Sequence, residues 1–134
     1  TGQIQGVEVI TQDLGGRAVF LFRFTGKVDG RRRTGFGIVG LNHQSLPSDP
    51  TASAAILAGD GTVYAGFRAY SISDVEGSIT VNMSGPFLLI FPLQFNVEAD
   101  LLINGAPHRF SGILRHDTLP FSLQGHLGTQ SLTR

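Results

Sequence analysis

The chain has no cysteine and no tryptophan, and its ten Lys and Arg are offset by ten Asp and Glu. Without cysteine there are no disulfides, no thiolate metal sites and no cysteine nucleophile. Without tryptophan, a sugar-stacking platform would fall to Tyr64, Tyr70 or a phenylalanine. The balanced charge argues against nucleic acid or an anionic membrane as the default partner. It also leaves little repulsion against self-association. Charged residues are only 15% and hydrophobic residues 41%, which excludes a disordered chain. No stretch approaches the roughly 18 apolar residues of a membrane helix. The longest apolar run, at 87–93, is short and contains Pro92, so a soluble protein with no membrane span is expected.

Helical periodicity is also nearly absent. Apolar and β-branched runs recur instead about every ten residues between glycine-containing turns, the pattern of an all-β sandwich or barrel. Strands are expected at 3–10, 17–27, 32–41, 54–58, 62–73, 78–84, 87–91, 94–103, 106–115 and 121–127. The connections read Asp29-Gly30, Gly59-Asp60-Gly61, 74–77, Gly85-Pro86, Asn104-Gly105 and 117–120. Nearly all are tight, so consecutive strands should be antiparallel neighbours. The exception is 42–53, with two prolines and no apolar periodicity; it reads as a long surface loop or crossover holding at most one helical turn.

Three hairpins can be registered. Asn104-Gly105 is the strongest two-residue hairpin signal, because a type I′ turn needs positive φ at both central positions. Pairing Ile103 with Ala106 sets Leu101 opposite His108 and Asp100 opposite Arg109. This places the charges on the wet face and His108 on the apolar one. Pairing Val28 with Arg31 puts Phe24 opposite Gly35 and Phe22 opposite Gly37, aromatics that restore packing lost at a cross-strand glycine. The other face of that ribbon (Val19, Leu21, Phe36, Ile38) is apolar too, so it should be covered by protein, and a homo-oligomer is expected. In the middle hairpin a loop at 74–77 pairs Ile72 with Ile79, Tyr70 with Val81 and Arg68 with Met83. Tyr64, Arg68 and Tyr70 then share an inward face with Ile72.

Chemical motifs are scarce. His43, His108, His116 and His126 show no His-x-His pair, and His108 and His116 are roughly 26 Å apart along one strand. No metal site and no cofactor are expected. Ser111-Gly112 lies mid-strand and no G-x-S-x-G elbow occurs, which disfavours a serine hydrolase. GFGIVG at 35–40 and AGDG at 58–61 precede no helix and read as structural glycines rather than phosphate loops. Arg31-Arg32-Arg33 with Lys27 reads as a solvated hairpin tip. The constellation with most chemical content is Tyr64, Arg68, Tyr70 and His108 as a ligand-binding set. Tyrosines wall pockets well, and an inward guanidinium without a carboxylate needs water or an anionic ligand.

The expected fold is one domain over 1–134: an antiparallel β-barrel, or a closely packed two-layer sandwich, built as a meander of hairpins. It resembles lipocalin-like and allene-oxide-cyclase-like barrels in architecture alone, since no motif of either family occurs. The leading functional expectation is a binding barrel for an apolar or amphipathic small molecule, with any acid group near Arg68. The alternatives are a homo-oligomeric structural protein with no cavity, and a cofactor-free isomerase or cyclase in which Tyr64, Tyr70 or His108 polarises the substrate. The first residue is Thr1 rather than methionine, and the expectation leans towards a secreted or periplasmic location.

Overall fold

A computed structural model of the chain describes residues 2–11, 17–28, 31–49, 51–89, 91–118 and 121–129. Eight long antiparallel strands close into a barrel in the order β1-β10-β9-β8-β5-β4-β3-β2, with no helix among the described residues. The strands are β1 (Gly2–Thr11), β2 (Arg17–Val28), β3 (Arg31–His43), β4 (Ser53–Ala65) and β5 (Arg68–Val81). After the short β6 (Phe87–Leu88) and β7 (Phe91–Pro92) come β8 (Gln94–Ile103), β9 (Ala106–Arg115) and β10 (Ser122–Thr129). Neighbours in the barrel follow chain order, and β1 closes on β10. The sheet therefore curls on itself rather than splitting into a sandwich, and closure leaves the barrel itself no open edge strand.

Two hairpins have the register that turn chemistry and alternation dictate. Ile103 pairs with Ala106, Leu101 with His108 and Asp100 with Arg109. Asn104 (φ 50°) and Gly105 (φ 81°) supply the two positive angles of the turn. Arg109 holds Asp100 at 2.8 Å and Glu98 at 3.3 Å on the outer face. In the first hairpin Val28 pairs with Arg31, Phe24 with Gly35 and Phe22 with Gly37. Its turn at Asp29-Gly30 lies outside the described residues, as do positions 119 and 120 of the 117–120 connection.

The middle of the chain differs from the expected pattern. The segment 62–73 is not one strand: it breaks at Gly66-Phe67, where Gly66 takes φ 63° and Ala65 pairs with Arg68. The Gly59-Asp60-Gly61 segment is not a turn but part of β4, and Gly59 packs against Leu41 and Val75 on the inside. Residues 74–77 form no hairpin loop. They hold a β-bulge: Ser73 pairs with Leu102 but Glu76 with Asp100, and Asp74 takes φ 53°. One extra residue exchanges the faces of a strand. Tyr70 and Ile72 thus face inward before the bulge, and Val75, Ile79 and Val81 after it. The expected pairs of Ile72 with Ile79, Tyr70 with Val81 and Arg68 with Met83 do not form; Tyr70 pairs with Val63 and Ile79 with Val97.

The 42–53 segment is neither a crossover nor helical. β3 continues to His43, and residues 44–52 join adjacent strands. Gln44 closes this loop by donating its N–H to Ala55 O and accepting the Ala55 N–H on its side chain. Leu46 packs on the core and Pro47 is buried. The expected strand at 87–91 is instead a separate two-stranded hairpin, with Leu88 paired to Phe91.

Inside, one end of the barrel is packed solid by Ala18, Phe20, Ala54, Ile79, Val81, Phe95 and Leu114, all buried. This is the base. The opposite end, which carries the β2–β3, β4–β5 and β8–β9 turns, is the mouth.

Candidate functional site

An eight-stranded barrel leaves a lumen just wide enough for side chains or for one small ligand. The outcome here is decided by where the phenyl rings lie. Phe22 comes within 2.7 Å of the point where a Cβ would stand on Gly37. The Phe110 ring covers Gly112 of its own strand and Gly125 of β10, at 2.6 and 2.8 Å from the equivalent points. Phe24 is paired with Gly35, but its ring rests on Gly2 instead, while the β4 backbone closes over Gly35. Rings set against glycine backbone thus form part of the lumen wall.

What remains is a cavity of about 450 Å³ in the mouth half. Its wall includes Ile4, Phe22, Val39, Val63, Ile72, Val97, Leu101, Phe110 and Leu127. Among the described residues, the polar side chains of the lining are Lys27, Tyr70, Asn104, His108 and Thr129. All five lie at or within two residues of a strand end at the mouth. His108 is flanked in the ladder by Leu101 and Thr129. Its Nδ1 is 2.8 Å from Ala106 O, and a carbonyl can only accept, so Nδ1 carries the proton.

Of the four residues read from sequence as a ligand-binding set, Tyr70 and His108 line the cavity. Tyr64 does not: the break at Gly66-Phe67 puts it on the outer face, where its ring stacks obliquely on Phe36 with centroids 5.7 Å apart. Arg68 does not either. It keeps the inner-face parity of Tyr70 but is the first residue of β5, exposed at the rim. The sequence reading missed Lys27, Asn104 and Thr129. Lys27 and Asn104 could have been flanked as rim positions from their turns, whereas Thr129 lies beyond the expected end of the last strand.

Among the described residues no carboxylate lines the lumen, and the His108 Nδ1 hydrogen bond goes to backbone. Among the described residues no three His, Asp or Glu side chains come together to hold a metal ion.

The strongest electrostatic feature lies at the base. His116 stacks on Phe121 (3.9 Å, 14°) and meets the edge of Phe95, and its Nε2 is buried with no partner among the described residues. Burial holds its pKa below the ordinary 6.5, only partly opposed by Asp117. Asp117 accepts two hydrogen bonds from Arg115 and one from Gln94, which keep its carboxyl below the usual range. This cluster ties β8, β9 and the β9–β10 connection together below the lumen.

Compared with family models, with curated proteins and with solved structures, the chain matches none.

Proposed function

We propose that the protein is a non-enzymatic barrel that holds one apolar or amphipathic small molecule. The observation that carries this reading is the segregation inside the lumen: an apolar chamber of about 450 Å³ with its polar side chains gathered at the mouth. That volume falls in the roughly 300–1,000 Å³ range of small-molecule sites, which are mostly apolar with a few placed polar groups. The guest's apolar body fills the chamber, and its polar or acidic end meets Lys27, Tyr70 and His108. Arg68, at the rim, is not part of this set.

Native mass spectrometry on protein from its source tests the reading, together with displacement of an apolar dye. A bound small mass, and dye binding abolished by filling the chamber with Val97→Trp in a variant that still folds, are the expected results. Protein that emerges empty and takes up no apolar probe overturns it.

A second reading has its own observation. On the outer face Leu21 pairs with Ile38, Val7 pairs with Leu21, and the Phe36 and Tyr64 rings touch. These five side chains are between 36% and 66% exposed, while Val19 is half-buried. A contiguous apolar band across β1–β4 suits a homo-oligomeric interface. Light scattering should then report a multimer that Phe36→Arg converts to monomer; a monomeric parent protein removes this reading. The two readings are compatible, since one uses the lumen and the other the outside.

A further inference from the structure

The excursion between β5 and β8 presents the most exposed apolar segment away from that band. Between Glu76 and Glu98 the chain carries no Asp, Glu, Lys, Arg or His. In the middle of this stretch β6 and β7 form a hairpin that pairs with no barrel strand. Met83, Phe87, Leu88, Leu89 and Phe91 are between 44% and 88% exposed, Leu89 the most.

The foot of the hairpin is firmly built. Asn82 N–H donates to Gln94 O, Gly85 N–H to Asn82 O, Leu93 N–H to Pro86 O and His116 N–H to Leu93 O, all within 3.1 Å. The Asn82 side chain accepts the Ser84 N–H and hydroxyl, and Asn82 and Pro92 are buried. A fixed foot therefore carries an apolar tip. At the turn itself Leu89 takes φ 57°, a conformation that favours glycine or asparagine. A leucine is thus held at the most exposed point in a backbone shape it does not prefer. Strain of this kind collects at working sites.

We propose that Phe87, Leu88, Leu89 and Phe91 form a lipid-surface anchor, inserting their side chains into the interfacial layer of a bilayer without spanning it. Three features select lipid over a protein partner. A stretch free of ionisable groups has no charge to desolvate on entering hydrocarbon. A phenylalanine offers about 150–250 Å² and a leucine less, and with these four side chains between 44% and 88% exposed the tip offers on the order of 500 Å². That is below the ~800 Å² each partner gives to a standard protein interface. The two residues of each strand reach roughly 7 Å, within the roughly 5–10 Å at which interfacial segments sit. The β8–β9 wall stays outside the bilayer, because its outer face carries Glu98, Asp100 and Arg109 while its inner face lines an apolar lumen. That is the reverse of a membrane-spanning barrel. The hairpin leaves from the base, so the mouth faces away from the bilayer.

Flotation of the full chain with phosphatidylcholine vesicles tests the proposal. The protein should float with these uncharged vesicles, and high salt should not release it. Leu89→Asp lies in a solvent-facing turn and should lower the bound fraction by roughly tenfold or more, since a carboxylate replaces a leucine in an apolar layer. Leu88→Ser with Phe91→Ser serves as a second, uncharged variant, and circular dichroism confirms that each keeps the barrel. Failure of the parent protein to float, or equal flotation of the variants, overturns the proposal. Binding only to vesicles containing phosphatidylglycerol, and lost in salt, assigns the contact to the basic β2–β3 tip instead. A dimer that Leu89→Asp makes monomeric, with no vesicle binding, assigns the hairpin to a second copy of the chain.

Discussion

The tip of the Phe110 ring abuts Gly125, 2.8 Å from where a Cβ would stand. That contact keeps the largest wall residue of β9 out of the lumen. The same point is closed by Ser111 O and Gly112 Cα, so a methyl group cannot be placed there without movement. Gly125→Ala should destabilise the barrel by about 1–3 kcal/mol, as overpacking does, and weaken binding of an apolar dye as the ring is pushed inward. Phe110→Ala should cost about 3–5 kcal/mol as a large-to-small change in a core. Urea unfolding and dye titration measure both. A Gly125→Ala protein equal to its parent in stability and dye affinity would contradict the close approach.

Tyr70 is partly buried in the mouth half, and its phenol is one of the polar groups of the lining. Tyr70→Phe should leave stability within about 1 kcal/mol and weaken a guest with a polar end by about 1 kcal/mol, the worth of a neutral hydrogen bond. A wholly apolar guest of the same size should bind unchanged. Calorimetric titration of such a matched pair checks this, and equal losses for both guests would place the phenol's effect in packing rather than hydrogen bonding.

The Asn104-Gly105 turn does more than join β8 to β9. Asn104 Oδ1 accepts the Ser71 N–H at 2.8 Å, while Asn104 N–H donates to Ser71 O. The turn is thereby fastened to β5 beside the mouth. Asn104→Gly keeps the positive φ but loses the side-chain acceptor, and should cost about 1 kcal/mol. Asn104→Ala loses both and should cost more. Denaturant midpoints order the three proteins, and an alanine variant as stable as the glycine variant would show that the backbone angle contributes nothing.

His116 makes stability depend on pH. Its native pKa lies below 6.5 because burial disfavours the imidazolium, so the unfolded chain binds the proton more readily. Its contribution is complete above pH ~6.5 and is lost as pH falls through the lowered native value. Melting temperature should therefore drop between pH 7 and pH 5. His116→Phe, which keeps the stack on Phe121 and removes the unpartnered Nε2, should flatten that slope and hold or raise stability at neutral pH. Asp117 adds a second loss at more acid pH, as protonation ends its hydrogen bonds to Arg115 and Gln94. Calorimetry across this range decides; an unchanged slope in the His116→Phe protein would remove the histidine from the account.

The outer two hairpins could be read from sequence because turn chemistry and alternation agreed there, and at β8–β9 the charge pair Asp100–Arg109 confirmed the register. The middle one misled for identifiable reasons. Its true turn is Gly66-Phe67, and a phenylalanine in a turn leaves the apolar rhythm unbroken. The polar segment 74–77 imitates a loop while holding a bulge. Gly59-Asp60-Gly61 imitates a turn while serving a close approach to Leu41 and Val75. For the site, Tyr70 kept its inward parity under either reading, and His108 followed from the well-specified turn. Tyr64 was lost because it lies before a break that no local signal marks, and Lys27 and Thr129 depend on how strand ends meet around a closed rim.

The bulge at Asp74 has one more consequence. It is a change of phase: above it the inside of β5 falls on even-numbered residues, and below it on odd-numbered ones. A chain without that single residue would keep its full complement of apolar side chains. It would nevertheless have to turn either Tyr70 and Ile72 or Ile79 and Val81 towards water. The chamber and the sealed plug beneath it thus belong to two different numbering frames of the same strand, joined at Asp74.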